Sequence, residues 1–286
     1  MRLVRLGEKG KERPAVMVSD EEALDVSSIV ADFDPAFFTG DGIERVRKAV
    51  AVASLPRMRI DSVRIGAPVA RPGKLMAVGM NYRDHAEETG APIPDKPIIF
   101  DKAVSSINGP YDDVVMPSNY STVDYEVELA VVIGKTARRV ARADAMAHVA
   151  GYTICNDVSE RTAQAKEGGQ WYRGKSFDTF APLGPYLVTA DELADPRALR
   201  LVCKVDSEIR QDGCTDKLIF DVAQLIEFIS RNVTIEPGDV LTTGTPAGVG
   251  MARKPPRYLQ PGQVMELEIT GLGKQRSRVV GEAAPK

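Results

Sequence analysis

The sequence is short of the residues that build disulfide frameworks and sulfur- or histidine-rich metal sites. Its 286 residues include three cysteines and two histidines. Cys155, Cys203 and Cys214 are odd in number, far apart and without a Cys-x-x-Cys spacing, so neither a disulfide framework nor a zinc cage is indicated. We expect all three to be reduced packing residues.

An excess of charge and a long apolar run are also missing. The formal net charge is -3, and the lysines and arginines are scattered, so no basic patch for nucleic acid or a membrane surface is present. No apolar stretch approaches the roughly 20 residues of a membrane-spanning helix, and the first five residues show a strand-like pattern without the apolar core of a signal peptide. We therefore expect a cytoplasmic protein that binds neither nucleic acid nor membranes.

The most informative stretch is DYEVELAV, which places Glu126 and Glu128 at the head of an apolar run. Residues two apart in a strand share a face, so Ala130 and Val132 would follow the two acids on that face. The intervening positions are apolar too, which predicts a central strand buried on both sides. An edge strand with solvent-facing acids is the commoner setting for Glu-x-Glu, but the apolar continuation favours burial. Two adjacent buried carboxylates need a counter-charge, and a divalent cation supplies one.

A third acid, Asp157, follows the apolar segment at 152–156 and precedes Ser159, a candidate helix cap. A carboxylate at a strand end is well placed to face a cavity, although an Asp before a helix is more often a cap or turn residue. Two Glu and one Asp would form an all-oxygen site, which suits Mg²⁺, Mn²⁺ or Ca²⁺.

One of the two histidines lies in a short predicted helix that Asn81 could cap and Gly90 could end. His85 and Glu88 are three residues apart and would share a face, so the carboxylate could orient the imidazole as a general base. An ordinary surface pair is the alternative. His148 is interpreted as a structural residue at the negative end of a predicted helix at 143–148.

Two glycine-rich segments are typical of site loops. The segment 168–178 contains Trp171, the only tryptophan, together with Lys175. The segment 242–250 reads as a strand that enters a glycine turn, whose amides could hold a carboxylate. It lacks both the Walker and the dinucleotide spacing.

The chain divides near residue 70, where Arg-Pro-Gly-Lys ends a small N-terminal unit. Within that unit we predict strands at 2–6 and 15–18 and a helix at 42–53. Later we predict a helix after an Asp221 cap, and strands at 240–243 and 264–270 that each follow a Pro-Gly corner.

Six stretches, in this order, resemble the motifs of the fumarylacetoacetate hydrolase family: GMNYRDHAEETG, KPIIFDKAVSSINGP, DYEVELAVVIG, CNDVSERTAQ, GKSFDTFAPLGP and TGTPAGVG. The similarity spans residues 74–280. The stretches GGQWYRGKSFDTFAPLGPYLVT and KPPRYLQPGQ further resemble the bacterial branch that cleaves 2,4-diketo-3-deoxy sugar acids. The resemblance implies an α+β, mainly β fold, a mixed β-sandwich roll, with a small N-terminal α/β domain at 1–70 and a catalytic domain at 71–286. It also implies a homodimer.

The resemblance further implies roles for ten residues. Glu126, Glu128 and Asp157 would bind Mg²⁺ or Mn²⁺, His85 and Glu88 would activate water, Lys175 would stabilise the oxyanion or enolate, and Tyr82, Arg161, Gln164 and Thr245 would surround the substrate.

The predicted reaction is hydrolysis of a carbon–carbon bond in a 2,4-diketo acid, either an acylpyruvate or a 2,4-diketo-3-deoxy sugar acid. Water activated by His85 would attack C4, and the metal would serve as the electron sink while pyruvate departs. A decarboxylase or isomerase of a related 2-oxo dicarboxylic acid, of the oxaloacetate or 2-hydroxyhepta-2,4-dienedioate type, would use the same metal. A sensor that binds a keto acid without turnover is a third possibility, disfavoured by the His–Glu pair.

Overall fold

The computed structural model describes residues 1–52, 54–193 and 195–283 and is built mainly from β-strands. The first nine strands are β1 (Arg2–Leu6), β2 (Arg13–Met17), β3 (Glu22–Asp25), β4 (Arg57–Arg59), β5 (Ile65–Gly66), β6 (Leu75–Gly79), β7 (Ile98–Lys102), β8 (Ile107–Asn108) and β9 (Val114–Met116). The later strands are β10 (Val123–Asp124), β11 (Val127–Ile133), β12 (Val149–Asn156), β13 (Ser159–Glu160), β14 (Ala181–Thr189), β15 (Arg200–Val205), β16 (Glu208–Cys214), β17 (Val240–Thr242), β18 (Val264–Ile269) and β19 (Gly273–Gly281). The α-helices are α1 (Pro35–Thr39), α2 (Gly42–Val52), α3 (Arg83–Thr89), α4 (Arg161–Ala165), α5 (Trp171–Lys175) and α6 (Val222–Ser230).

Two mixed sheets pack against each other and enclose most of the core. The larger runs in the order β4-β3-β2-β1-β14-β12-β11-β17-β6-β7, and the smaller in the order β16-β15-β18-β19-β9. Most neighbours are antiparallel, but β17 pairs with β6, and β19 with β9, in parallel. This is the α+β, mainly β architecture that the resemblance implied.

Strand β11 lies in the middle of the larger sheet, between β12 and β17, and every one of its residues is buried. The side chains of Val127, Leu129, Val131 and Ile133 face the smaller sheet and α6 in the main apolar cluster. Ala130 and Val132 belong to a second apolar cluster on the opposite face. The two-face burial expected from the alternation is therefore present, with Glu128 at the head of the second face.

The N-terminal unit extends the larger sheet. Strand β1 pairs with β14 through Arg2–Val188 and Leu3–Leu187, so strands from both sides of residue 70 are hydrogen-bonded neighbours. Its apolar side chains, including Phe33, pack in the same cluster as Ala130. The first 70 residues thus cover the face of β11 on which Glu128 lies.

Most predicted elements form close to their expected bounds. The strand expected at 15–18 is β2, Arg13–Met17, and the helix expected at 42–53 is α2, whose last expected residue lies outside the described ranges. Asp221 caps α6, as predicted, and the structure adds a capping box with Gln224. The segment expected as a helix at 143–148 is a short 3-10 turn, Ala145–His148.

Two predicted caps were wrong. Asn81 does not cap α3, because its amide instead donates to the Phe220 and Thr243 carbonyls; Gly90 does end the helix, in the left-handed conformation. Ser159 does not cap α4, where the side chain of Glu160 accepts from the Ala163 amide. For Asn81, partners distant in sequence offer the better-placed hydrogen bonds. For α4, the residue after Ser159 does so.

Within the described ranges, no helix combines the length and apolar character needed to cross a membrane.

Candidate active site

Three buried carboxylates meet where β11 begins and β12 ends. The register pairs Val127 with Asn156, so Glu126 and Asp157 lie just beyond the same end of this antiparallel pair. The Asp157 amide donates to the Glu126 carbonyl at 2.9 Å, and the Glu126 amide donates to Asn156 Oδ1 at 3.1 Å. Together with Glu128 they place one carboxylate oxygen each within 4.8 Å of one another. The sheet register therefore assembles the three acids that the sequence singled out.

The carboxylates of the cluster differ in how readily they ionise. Although burial opposes ionisation of Glu126, the neighbouring Lys175 and Arg161 outweigh it and hold its pKa at about 2. Burial, together with the charges of Asp157 and Glu126, raises the pKa of Glu128 well above its ordinary value. A further cation is needed to keep all three carboxylates ionised.

Two buried lysines neutralise part of this charge. Lys175 Nζ donates to Glu126 Oε2 at 2.8 Å and to Asp157 Oδ2 at 2.6 Å. Lys102 Nζ donates to Asp157 Oδ1 at 2.6 Å and to the Val158 carbonyl at 3.2 Å. Burial lowers the pKa of Lys102, whereas Asp157 and Glu126 outweigh burial and raise that of Lys175.

Lys102 was missed at the sequence level, and the alternation of its strand explains its position only once the cavity is known. It lies on β7 two residues after Phe100, and side chains two apart on a strand share a face. Because Phe100 lines the site cavity, the same face carries Lys102 inward beside Asp157.

Arg161, the first residue of α4, links the cluster to a fourth buried acid, Asp124. Its Nε and Nη2 atoms donate to Asp124 Oδ2 at 3.0 and 2.9 Å, and Nη2 lies 2.6 Å from Glu126 Oε1. Nη1 donates to Gln164 Oε1 at 3.0 Å. With all four carboxylates ionised, three cationic side chains would leave one negative charge uncompensated among these residues.

The glycine-rich turn after β17 binds carboxylates, but they are the protein's own. The Gly244 amide donates to Glu128 Oε2 at 2.9 Å, and the Gly250 amide donates to Asp124 Oδ1 at 2.7 Å. The Gly248 amide donates to both oxygens of Glu88, at 2.9 and 3.0 Å. Gly248 has φ +112, and a Cβ built there would lie 2.0 Å from the Arg210 carbonyl oxygen, so the turn requires glycine.

The His85–Glu88 pair forms on α3 as the spacing suggested. His85 Nδ1 lies 3.3 Å from Glu88 Oε2. His85 is buried and lines the same cavity as Glu126 and Glu128. The only other histidine, His148, contacts the Lys135 carbonyl away from the site.

The cavity has a volume of about 250 Å³ and contains most of the predicted site residues. Its lining includes His85, Glu126, Glu128, Arg161, Gln164, Lys175 and Thr245, together with Trp171 and Phe100. Thr245 is held by hydrogen bonds to the Val127 carbonyl and from Gln211. Glu88 and Asp157 do not line the cavity. They contact two residues that do, His85 and Lys175, respectively.

Tyr82 is placed differently from the expectation that it surrounds the substrate. Its ring is fully buried in the main apolar cluster and does not line the cavity. Its hydroxyl has no hydrogen-bond partner among the described residues, and burial, followed by the charge of Glu128, raises its pKa well above the ordinary value. Its backbone forms an isolated antiparallel bridge with Leu218.

The donor set fits a hard divalent cation. All three candidate ligands are carboxylates, their oxygens converge, and one of them cannot easily ionise without added positive charge. Glu126, Glu128 and Asp157 could therefore hold Mg²⁺, Mn²⁺ or Ca²⁺, beside the two buried lysines that contact Glu126 and Asp157.

Comparison with known proteins agrees with this architecture. The family model described as fumarylacetoacetate (FAA) hydrolase C-terminal matches residues 74–280, so the chain belongs to the fumarylacetoacetate hydrolase family and is an enzyme of this hydrolase class. The 2,4-didehydro-3-deoxy-L-rhamnonate hydrolase of Sphingomonas sp. (strain SKA58) is 46% identical over 280 residues, which cover 98% of this chain and 96% of that protein.

Solved structures with the same fold include both hydrolases and isomerases. Maleylpyruvate hydrolase from Sphingobium sp. SYK-6, in complex with manganese (II) ion and pyruvate, has a TM-score of 0.83 and 31% identity over 99% of this chain and 100% of that one. The 2-hydroxyhepta-2,4-diene-1,7-dioate isomerase from Mycobacterium marinum has a TM-score of 0.78 and 31% identity, with the same coverage. The similarity thus establishes the family, but the fold alone does not distinguish hydrolysis from isomerisation.

Proposed function

We propose that this enzyme is a metal-dependent hydrolase that cleaves the C3–C4 bond of a 2,4-diketo acid to give pyruvate and a second carboxylic acid. The observation that carries the proposal is the His85–Glu88 pair on the wall of the cavity that also holds the three-carboxylate cluster. A bond cleavage by water needs a positioned base, which an electron sink alone does not supply. The names of the rhamnonate and maleylpyruvate hydrolases support the same reaction class.

Glu126, Glu128 and Asp157 would hold the divalent cation. When bound, Mg²⁺ or Mn²⁺ would supply Lewis-acid chemistry that polarises the oxygens of a 2-oxo acid.

The histidine and its partner activate water. Glu88 accepts a hydrogen bond from the protonated Nδ1 of His85, which leaves Nε2 as the basic nitrogen. His85 Nε2 takes a proton from water as the water oxygen bonds to the C4 carbonyl carbon. The Gly248 amide fixes Glu88 and so fixes the tautomer of His85.

The remaining residues act while the C3–C4 bond breaks. As the C3–C4 bond breaks, its electron pair stays with C3, and C4 leaves in the second carboxylic acid. Lys175, held beside Glu126, offers its ammonium group to the developing negative charge on the pyruvate portion. The proton that His85 took from water returns to C3 and completes pyruvate. Gln164 and Arg161 orient the substrate carboxylate end.

Release of pyruvate from a substrate panel tests the proposal. The panel contains acylpyruvates, 2,4-diketo-3-deoxy sugar acids and oxaloacetate, each assayed with Mg²⁺, with Mn²⁺ and with EDTA, and pyruvate is coupled to lactate dehydrogenase. We expect turnover of diketo acids that EDTA abolishes, with a second acid formed one-for-one. Pyruvate and CO₂ from oxaloacetate alone would replace the proposal with a decarboxylase. Isomerisation of a dienedioate without pyruvate release would replace it with an isomerase.

We also propose that the enzyme works as a homodimer in the cytoplasm, on the strength of the family resemblance. Light scattering during size-exclusion chromatography measures the mass directly, and a value near that of one 31.0 kDa chain would refute the dimer.

A further inference from the structure

The charged side chains of the cavity lining are grouped around the carboxylate cluster. Glu126, Glu128, Arg161 and Lys175 converge at the carboxylate cluster, whereas the rest of the lining is mainly apolar and includes Met80, Ala91, Phe100, Ala165, Trp171 and Met251. The 2-oxo acid end of a substrate has its partners at the charged end. The acyl group beyond C4 must therefore lie along the apolar wall.

Aromatic rings shape that wall. Trp171 packs edge-on against Phe100 with ring centroids 5.3 Å apart. It also lies directly over Gly79, where a Cβ would come within 2.1 Å of the indole ring. The wall thus contains two packed rings, and it includes the thioethers of Met80 and Met251; none of these groups carries a charge to match that of a substrate.

The two permanent cations of the lining, Arg161 and Lys175, are held within the carboxylate cluster, where the proposed mechanism places the 2-oxo acid end of the substrate. Arg161 is bound to Asp124, Glu126 and Gln164, and Lys175 is bound to Glu126 and Asp157. Among the described residues that line the cavity, the remaining basic group is His85, which is paired with Glu88. A second carboxylate on the acyl group would therefore meet no free cation.

We propose that the enzyme selects 2,4-diketo acids whose acyl group is uncharged and discriminates against those that carry a second carboxylate there. This inference rests on the proposed hydrolysis and narrows its substrate class. Placing a carboxylate against the apolar wall removes water without supplying a partner, which is unfavourable. An uncharged chain, whether plain or hydroxylated, avoids that loss.

Met251 is the residue through which this selectivity can be changed. It lines the cavity, the residue is 42% exposed, and its amide is fixed by a 3.0 Å hydrogen bond to Asp124 Oδ2. A longer cationic side chain at this position can therefore reach the distal part of the cavity while its backbone stays in place. We assign Met251 as a determinant of specificity that keeps the mouth of the cavity uncharged.

A matched pair of substrates tests the proposal. Butanoylpyruvate and succinylpyruvate have acyl groups of equal carbon number that end in a methyl group and a carboxylate, respectively. We expect kcat/KM, measured by pyruvate release from the full chain with Mn²⁺, to be at least about tenfold higher for butanoylpyruvate. Met251→Lys should raise the succinyl-to-butanoyl ratio by about tenfold, whereas the uncharged control Met251→Gln should not. Equal kcat/KM values for the two acids in the unaltered enzyme would overturn the proposal.

Binding to the His85→Ala variant separates this inference from the proposed function. Calorimetry with Mn²⁺ measures the affinity of both acids without turnover. A preference of about tenfold for butanoylpyruvate supports the selectivity even if the unaltered enzyme hydrolyses neither acid, in which case hydrolysis alone fails. Equal affinities overturn the selectivity, whatever the turnover.

Discussion

Individual side chains of the carboxylate cluster decide whether a cation can bind. Glu128 is the acid whose ionisation depends most on added positive charge, because burial and two neighbouring acids oppose it. We expect Glu128→Ala to weaken Mg²⁺ and Mn²⁺ binding, measured by calorimetry, by at least about 100-fold. Glu268→Ala removes an exposed glutamate paired with Lys274 and is the control. Unchanged Mg²⁺ affinity in a folded Glu128→Ala protein would refute the site.

At the same scale, the two histidines provide their own control. His85 is buried in the cavity and paired with Glu88, whereas His148 contacts a backbone carbonyl elsewhere. We expect His85→Ala to lower kcat by about 10²–10⁴-fold, the usual contribution of a positioned base, while affinity for Mn²⁺ changes little. His148→Ala should leave kcat unchanged. A His85→Ala enzyme with full kcat would exclude the base, and a protein without turnover in either form would revive the sensor hypothesis.

Among the structural elements, the glycine-rich turn and α4 are joined through Asp124. This acid accepts from the Gly250 and Met251 amides of the turn and from Arg161 of α4, and it is fully buried. Breaking a buried pair leaves an uncompensated charge and costs about 3–5 kcal/mol. We expect Asp124→Asn, which keeps one acceptor oxygen, to lower the free energy of unfolding in urea by about 3 kcal/mol.

A matched surface pair controls for the chemistry of that substitution. Asp212 makes a bidentate contact with Arg200 at 2.7 and 2.6 Å, but both side chains are exposed. Surface pairs contribute about 0–1 kcal/mol, so Asp212→Asn should change stability little. Equal losses of unfolding free energy in the two variants would show that Asp124 and Arg161 form an ordinary ion pair. Asp124 would then have no part in joining the turn to α4.

What the sequence could predict follows from the range of the interactions involved. The alternation around Glu126 and Glu128 gave the central strand, because residues two apart necessarily share a face. The end of α3 at Gly90 and the cap of α6 at Asp221 could be predicted because helix caps depend on residues close in sequence. Lys102 and Asp124 were missed because their partners lie 55 and 37 residues away, and only the sheet register brings them together.

The glycine turn shows the same limit in another form. Its capacity to hold carboxylates could be predicted from its glycines, but the occupants could not. Glu88 and Glu128 reach the turn from α3 and β11, contacts separated by 160 and 116 residues. An amide that already binds a protein carboxylate is unavailable to the substrate, so the Gly244, Gly248 and Gly250 amides shape the site instead of binding the ligand.

At the scale of the whole molecule, the sheet does not stop at residue 70. Strand β1 continues the sheet beside β14, and the N-terminal apolar residues pack on the face of β11 that carries Glu128. Removal of this cover would expose both a strand edge and an apolar surface. The site's burial, on which its charge balance depends, is therefore partly a property of the N-terminal unit.

This coupling predicts a single unfolding transition. Phe33 is fully buried in the shared cluster and packs against Phe37 with ring centroids 4.8 Å apart. We expect Phe33→Ala to destabilise the protein by about 3–5 kcal/mol. Trp171, the only tryptophan, lies at the site and reports on the catalytic part by fluorescence, while far-UV circular dichroism reports on the whole chain. Both signals should shift together in Phe33→Ala, and neither in Val52→Ala, whose side chain is 86% exposed. A shift confined to circular dichroism would show that residues 1–70 unfold as an independent unit, and the continuous sheet would then contribute nothing to the stability of the site.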